Sequence, residues 1–133
     1  MADISLPKPV KLFVGILSCD EELLADVESI LIKRFGEVDM KSEIIPFNFT
    51  DYYTKEMGAN ISRQFICFKK LINPEELSAF KIWTNELEDK FKHNNRFNVI
   101  RPINLDPGYL THCNLILAST KKYYHRIHLQ DGI

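Results

Sequence analysis

Residues 11–35 read KLFVGILSCDEELLADVESILIKRF, and the change of period inside this stretch decides the fold class. Lys11 to Ser18 is a short, nearly continuous apolar run bounded by turn residues, the pattern of a central strand covered on both faces. From Asp20 the pattern changes. Leu23, Leu24, Val27, Ile30, Leu31 and Phe35 recur at helical spacing, Ser18 and Glu21 stand in capping-box relation, and Gly36 is the stop. The chain therefore opens with a buried strand that runs directly into an amphipathic helix.

Downstream, Ile45, Phe47 and Phe49 alternate with polar or small residues as a half-buried strand does. A polar connection over residues 50–60 leads to a strand containing Phe65, Cys67 and Phe68, and the two are expected to pair as a long hairpin. Asn73-Pro74-Glu75-Glu76 is a helix start: Asn caps, Pro fits the first helical position, and Glu lies near the positive end of the dipole. Leu77, Phe80, Trp83, Leu87 and Phe91 form one stripe of that helix, which stops at His93-Asn94-Asn95-Arg96. Residues 97–105 read as a strand and residues 115–118 as another. Residues 123–129 alternate as a last strand, joined to the previous one through residues 119–122. The expectation is an α+β protein, a ferredoxin-like βαββαβ core with a C-terminal two-strand extension. Residues 1–9, with Pro7 and Pro9, read as a flexible lead-in, and residues 10–133 as one domain.

In this arrangement strands one and three are expected to run parallel in the middle, flanked by strands two and four. That places Thr50, Asp51, Tyr52, Tyr53 and Glu56 near Asn104, Asp106, Pro107 and Tyr109. Ser119, Thr120 and Lys121 are placed at the opposite pole, with His125 and Arg126 on the strand running back.

Composition narrows the function classes. Of 133 residues, 45% are hydrophobic and 26% charged, ordinary values for a globular chain that buries one core. A formal net charge of -1 argues against a dedicated binder of duplex DNA, which needs surplus Lys and Arg to neutralise phosphates. Cys19, Cys67 and Cys113 are widely spaced among apolar neighbours, as reduced thiols in a cytoplasmic protein are, and show no zinc spacing. There is neither a secretory signal pattern nor a run of eighteen apolar residues, so no membrane association is expected.

Three polar segments carry candidate chemistry. Asp106-Pro107-Gly108 reads as a tight turn, or alternatively as a strand end presenting Asp106 as a metal ligand or general base. Residues 50–56 read as a single capped helical turn ended by Gly58, whose Tyr52 and Tyr53 cover a sheet edge. Alternatively Asp51 and Glu56 join Asp106 around a divalent metal, since hard cations favour several carboxylate oxygens. Ser119-Thr120-Lys121-Lys122, with His125 and Arg126, is the best anion-site candidate, offering hydroxyls, ammonium groups and a guanidinium suited to phosphate. Its plain alternative is a solvated hairpin tip. His125 would serve as an acid or base near neutral pH. His93, His112 and His128 read as surface or loop residues, and Glu86-Leu87-Glu88-Asp89 as a solvated helix face.

The segments NFTDYYTKEMG at 48–58, NLDPGYL at 104–110 and LASTKKYYHRI at 117–127, with KLFVGILS and FGEVDMKS, resemble an uncharacterised prokaryotic domain-of-unknown-function family. Its members are sometimes labelled GTP-binding. The resemblance implies a chain that usually continues beyond the position of Ile133 with a further strand, so this one looks C-terminally shortened, with an open sheet edge. A P-loop is excluded, because no two of the glycines at 15, 36, 58, 108 and 132 stand five residues apart.

The reading is a binder of a small phosphorylated or nucleotide-like anion. Lys121, His125 and Arg126 meet the anion, Ser119, Thr120 and Asn104 add polar contacts, and Tyr52, Tyr53 and Tyr109 form the walls. The alternatives are a metal-assisted phosphate-ester hydrolase using Asp51, Glu56 and Asp106 with His125 as proton shuttle, and an RNA-associated or protein-interaction module. The 123–129 edge offers strand pairing as a route to a dimer.

Overall fold

A computed structural model of the chain describes residues 3–94 and 96–133. Among these, strand β1 (Val10–Ser18) occupies the middle of a six-stranded sheet. It leads into helix α1 (Glu21–Phe35), then the short strands β2 (Val38–Lys41) and β3 (Ile45–Pro46) and the single-turn helix α2 (Thr54–Met57). Strand β4 (Ser62–Ile72), helix α3 (Leu77–Lys92) and the hairpin strands β5 (Ile103–Leu110) and β6 (Leu115–Leu117) complete the order. The sheet order is β2-β4-β1-β5-β6, with β3 also on β4, and every pairing is antiparallel. The α+β class is as the sequence predicts.

The apolar run of β1 explains its place. Leu12, Val14 and Ile16 point to the face covered by α1 and α3, while Phe13 and Leu17 are buried on the other. Helix α1 is capped by Asp20, whose carboxylate accepts from the Glu22 and Leu23 amides at 2.7 and 3.3 Å; Ser18 is not the cap, and its hydroxyl instead donates to the Asp20 carbonyl. Gly36, at φ 96°, ends the helix as expected. The α1 stripe of Leu23, Leu24, Val27, Leu31 and Phe35 closes the core. There the Phe35 ring meets Phe68, Phe80 and Trp83 edge-on at 5.3, 4.8 and 5.4 Å. Asn73 and Glu76 form a reciprocal capping box over a 3₁₀ turn that runs into α3.

Several expectations need correction. The expected parallel middle pair is antiparallel, because β4 returns beside β1 from a hairpin-like connection. Residues 38–41 form an edge strand that the reading left out, and the strand expected through Phe49 shrinks to Ile45–Pro46. Residues 96–102 are turns and bends; β5 starts only at Ile103 and runs through Asp106-Pro107-Gly108, which is therefore not a turn. Proline is tolerated there because its position lacks a ladder donor requirement: the Pro107 carbonyl still accepts from the Ala118 amide. Residues 123–129 form no strand but a turn followed by irregular chain, so the extension is one strand, β6. Residues 3–9 are exposed and irregular, while Met1, Ala2 and Asn95 lie outside the described residues.

On the face away from α1 and α3, two glycines make room for aromatic rings of neighbouring strands. Gly15 pairs with Phe65 and Phe13 with Gly108. A Cβ at Gly15 would sit 3.1 Å from the rim of the half-exposed Phe65 ring. A Cβ at Gly108 would sit 2.5 Å from Cζ of buried Phe13 and closer still to the Ile116 carbonyl oxygen, which is backbone and cannot yield. Gly108→Ala is expected to destabilise the fold by about 1–3 kcal/mol, the usual cost of overpacking. Gly15→Ala should cost clearly less, because an exposed ring can swing. Urea unfolding of the two variants side by side measures the difference.

Candidate functional site

The open edge of β5 gathers most of the buried charge. Beyond its hairpin contact with β6 at residues 108–110, β5 has no strand on its outer side, yet Leu105 turns both its N–H and its C=O that way. Helix α3 supplies the missing partners. Leu77, Lys81, Thr84 and Glu88 fall at spacings of four, three and four, hence on one helix face, and all four are buried. Lys81 Nζ donates to the Leu105 carbonyl at 2.7 Å, and Glu88 Oε1 accepts from the Leu105 amide at 2.6 Å. Lys81 and Glu88 are each only 5% exposed.

From these two groups a polar chain runs outward. Lys81 Nζ lies 3.3 Å from Asp106 Oδ1, Asp106 Oδ2 accepts from Asn104 Nδ2 at 2.7 Å, and Asn104 Oδ1 accepts from Arg101 at 3.1 Å. Arg101 Nε stands 3.5 Å from Glu56 and 4.0 Å from Glu88, and the Arg101 amide donates to the Glu56 carbonyl at 2.9 Å. Asn104, Asp106 and Glu56 thus belong to one network, tied to α2 through Arg101. The three residues that organise it, Lys81, Glu88 and Arg101, were not foreseen. Glu88 is not on a solvated face: burial pushes its carboxyl pKa up, opposed by the Leu105 amide, Lys81 and Arg101. The legible signal was a Lys and a Glu seven residues apart, two helical turns, in register with the apolar Leu77.

A second constellation forms where residues 119–126 turn back and bring Lys121 over the Tyr52 ring. Arg126 donates to the Ser119 hydroxyl and, at 3.4 Å, to the Lys121 carbonyl, while the turn closes through the Arg126 amide to the Tyr123 carbonyl. Lys121 Nζ lies 4.6 Å from the centre of the Tyr52 ring, and hydrogen bonding to Tyr52 is the main cause that raises its pKa. Arg126 stacks over Tyr123 at 4.9 Å, and the Tyr123 and His125 rings are parallel at 5.7 Å. Among the described residues no carboxylate pairs with Lys121, Lys122, His125 or Arg126. Lys121 stands over the connection that carries Tyr52, not at an opposite pole as expected.

The remaining expected residues disperse. Tyr53 packs with Phe47 and Met57 in a small cluster over Leu17, and Tyr109 packs against core residues rather than lining a cleft. Thr120 is exposed without a role in the turn's hydrogen bonds. Asp51 is exposed and holds the Thr54 amide through its carbonyl. Asp51, Glu56 and Asp106 do not converge: among the described residues no group of three or more His, Cys, Asp or Glu could hold a metal ion. Cys19, Cys67 and Cys113 are free, Cys113 being exposed at the β5–β6 turn, and burial pushes the Cys19 and Cys67 thiols up. An open cleft of about 430 Å³ lies beside α2, lined by residues 54–56, Gly58 and residues 97–100.

The family model for a domain of unknown function, DUF4416, matches residues 8–133. The chain belongs to the DUF4416 family. No curated protein and no solved structure matches it. Among the described residues of this DUF4416 domain no helix is long and apolar enough to cross a membrane.

A buried carboxyl with a raised pKa takes up its proton more readily in the folded chain than in the unfolded one. Its stabilising contribution is complete below the ordinary glutamate range and is lost as pH rises through the folded-state value. Glu88→Gln keeps an oxygen for the Leu105 amide. Relative to this variant, the wild-type DUF4416 domain is therefore expected to lose stability as pH rises through that window, as read by urea unfolding at a series of pH values. Lys81→Met strands the Leu105 carbonyl and leaves Asp106 unpaired, and should cost at least the 1–3 kcal/mol of about one unsatisfied buried group at any pH.

Proposed function

We propose that this DUF4416 domain binds a small phosphorylated or nucleotide-like anion at the turn formed by residues 119–126, without a P-loop. One observation carries the reading. Lys121 and Arg126 are drawn into one turn, flanked by Tyr52 and Tyr123, with no carboxylate from the described residues to neutralise them. A cation cluster left without counter-charge is most favourable when an anion supplies it, and a guanidinium and an ammonium together suit phosphate oxygens. Ser119 adds a hydroxyl, His125 an imidazole, and the exposed Tyr52 ring an apolar wall. Tyr53, Tyr109 and Asn104 drop out of the site, because each is engaged elsewhere in the fold.

The hydrolase alternative has less support, since its three carboxylates are apart and Asp106 is tied to Lys81 and Asn104. For the fold, the order β2-β4-β1-β5 with α1 and α3 on one face supports a ferredoxin-like assignment of the βαββαβ portion, β6 being an addition. Free cysteines support a cytoplasmic setting.

Thermal-shift and calorimetric titrations with inorganic phosphate and with nucleoside mono- and triphosphates test the reading. A ligand at one hundred times its Kd should stabilise the wild type by about 2.7 kcal/mol. Lys121→Ala and Arg126→Ala should each weaken binding at least about tenfold, because a charge-assisted hydrogen bond contributes about 1.5–3 kcal/mol. Equal affinity in wild type and both variants would place the anion elsewhere, and no binding of any of these anions would remove the proposal.

A further inference from the structure

The face of the sheet away from α1 and α3 carries a continuous row of aromatic rings and cations. Along β1, Phe13, Gly15 and Leu17 alternate with the core residues Leu12, Val14 and Ile16, so their partners on β4 point away from the helices with them. Those partners include Phe65, opposite Gly15, and Arg63, opposite Leu17. The Phe65 ring rests one edge over Gly15 and remains 38% exposed. The Arg63 guanidinium lies 4.3 Å from the centre of the Phe47 ring and 5.4 Å from that of Phe65. From Phe47 the row continues to Tyr53 at 5.9 Å between ring centres and to Tyr52 at a further 4.9 Å, and Lys121 closes it at 4.6 Å over Tyr52. Phe49 stands beside Phe47 at 5.7 Å.

Arg63 is the member of this row whose bonding is unmet. Its Nε is a buried nitrogen with no hydrogen-bond partner, and among the described residues no carboxylate pairs with its guanidinium. Folded chains seldom leave a buried donor unsatisfied, and a guanidinium stacked on rings keeps its charge for a phosphate or carboxylate. The nearby acids do not supply it. Asp39 is taken by Lys11, Asp106 by Lys81 and Asn104, and Asp51, beside Tyr52, forms no ion pair. The row thus holds Arg63 toward one end and Lys121 at the other, both without counter-charge from the described residues. Beside them Phe49 and Tyr52 are 75% and 64% exposed.

We infer that this row is a track for single-stranded nucleic acid, with bases stacked on Phe49, Tyr52 and Phe65 and backbone phosphates held by Arg63 and Lys121. Cations spaced along exposed rings are the arrangement that a single strand requires, since every base has a flat face to stack and every link carries a negative charge. A duplex keeps its bases inside and gains nothing from the rings. An acidic peptide satisfies the cations but leaves Phe49 and Tyr52 without flat partners. The net charge of -1 argues against duplex binding, which rests on many phosphate contacts, and weighs less here because stacking supplies part of the affinity. The track extends the proposed anion site, on which it rests only for Lys121; Arg63, Phe49 and Phe65 lie outside that site.

Fluorescence anisotropy of labelled oligouridylate and oligothymidylate of about eight nucleotides tests the inference, a length within the range that one small domain covers. Titrations with uridine monophosphate, inorganic phosphate, a duplex of equal length and polyglutamate run beside it. The single strands should bind at least about tenfold more tightly than the mononucleotide, and log affinity should fall with log salt at a slope of about -1.4, about 0.7 for each of two phosphates. Phe49→Ala should weaken strand binding about tenfold and leave mononucleotide affinity unchanged. Arg63→Gln should also spare the mononucleotide and should lower the slope by about 0.7. Lys121→Ala should weaken both ligands. Circular dichroism verifies the fold of each variant, and the exposure of Phe49 leaves the core untouched by its truncation. Strands that bind no better than the mononucleotide overturn the track while leaving the anion site standing. Strand affinity indifferent to both Phe49→Ala and Arg63→Gln overturns it as well, as does equal binding of the duplex or of polyglutamate, the latter making an acidic protein segment the occupant. Strand binding that needs Phe49 and Arg63, with no binding of phosphate or mononucleotide, supports the track and removes the small-anion reading instead.

Discussion

The backbone of Leu105 must be satisfied on a side of β5 where no strand runs, and much of the molecule is arranged around that need. An unpaired buried peptide group costs about 1–3 kcal/mol, and Leu105 has two such groups facing the same way. Helix α3 answers with one cation for the carbonyl and one anion for the amide, two turns apart on a single face. The spacing of Lys81 and Glu88 matches a helix lying alongside the strand, so the demand of one residue on β5 sets how α3 sits against the sheet.

Burying two charges is costly unless each is paired and hydrogen-bonded, and a buried ion pair is weak support for stability in itself. Here the expense is limited by continuity. Lys81 passes to Asp106, Asp106 to Asn104, Asn104 to Arg101, and Arg101 to Glu56, so the chain begins in the interior and ends at the surface of α2. The polar path also joins α3, β5 and α2. The connection bearing Tyr52 is held at the end of β5 by Arg101 and Glu56, and the turn bearing Lys121 rests on Tyr52. The turn that carries the proposed anion site therefore meets, through Tyr52, a connection that this polar path ties to the start of β5.

What the sequence made legible, and what it hid, follow from the range of the forces involved. The apolar run of β1, the stripe of α1 and the Asn73 cap are local patterns, and the structure follows them. Lys121 and Arg126, the residues of the proposed anion site, were also visible as a polar cluster, although Tyr52 reached Lys121 by a path that strand order alone did not indicate. Asp106-Pro107-Gly108 misled because its turn chemistry is local, whereas its role in β5 comes from partners far along the chain: Val14, Phe13 and Ala118. Tyr123 to Leu129 misled in the same way, since alternation without a neighbouring strand does not make one. Lys81 and Glu88 hid because polar residues on a helix are read by default as solvated, and only the unfilled edge of β5 explains their burial.

The glycines beneath Phe13 and Phe65 carry a consequence for how this family can change. In each pair one strand contributes the whole volume and its neighbour contributes none, so the two positions divide a single space between them. The tighter pair has no freedom to exchange: Gly108 is held small by the Ile116 carbonyl oxygen whatever stands at Phe13, and a smaller residue at Phe13 would leave the sheet with a hole. The looser pair, Gly15 with the half-exposed Phe65, has more latitude. Heritable variation across this face should accordingly be close to nil at Phe13 and Gly108, and travel as a loosely matched couple of opposite size at Gly15 and Phe65.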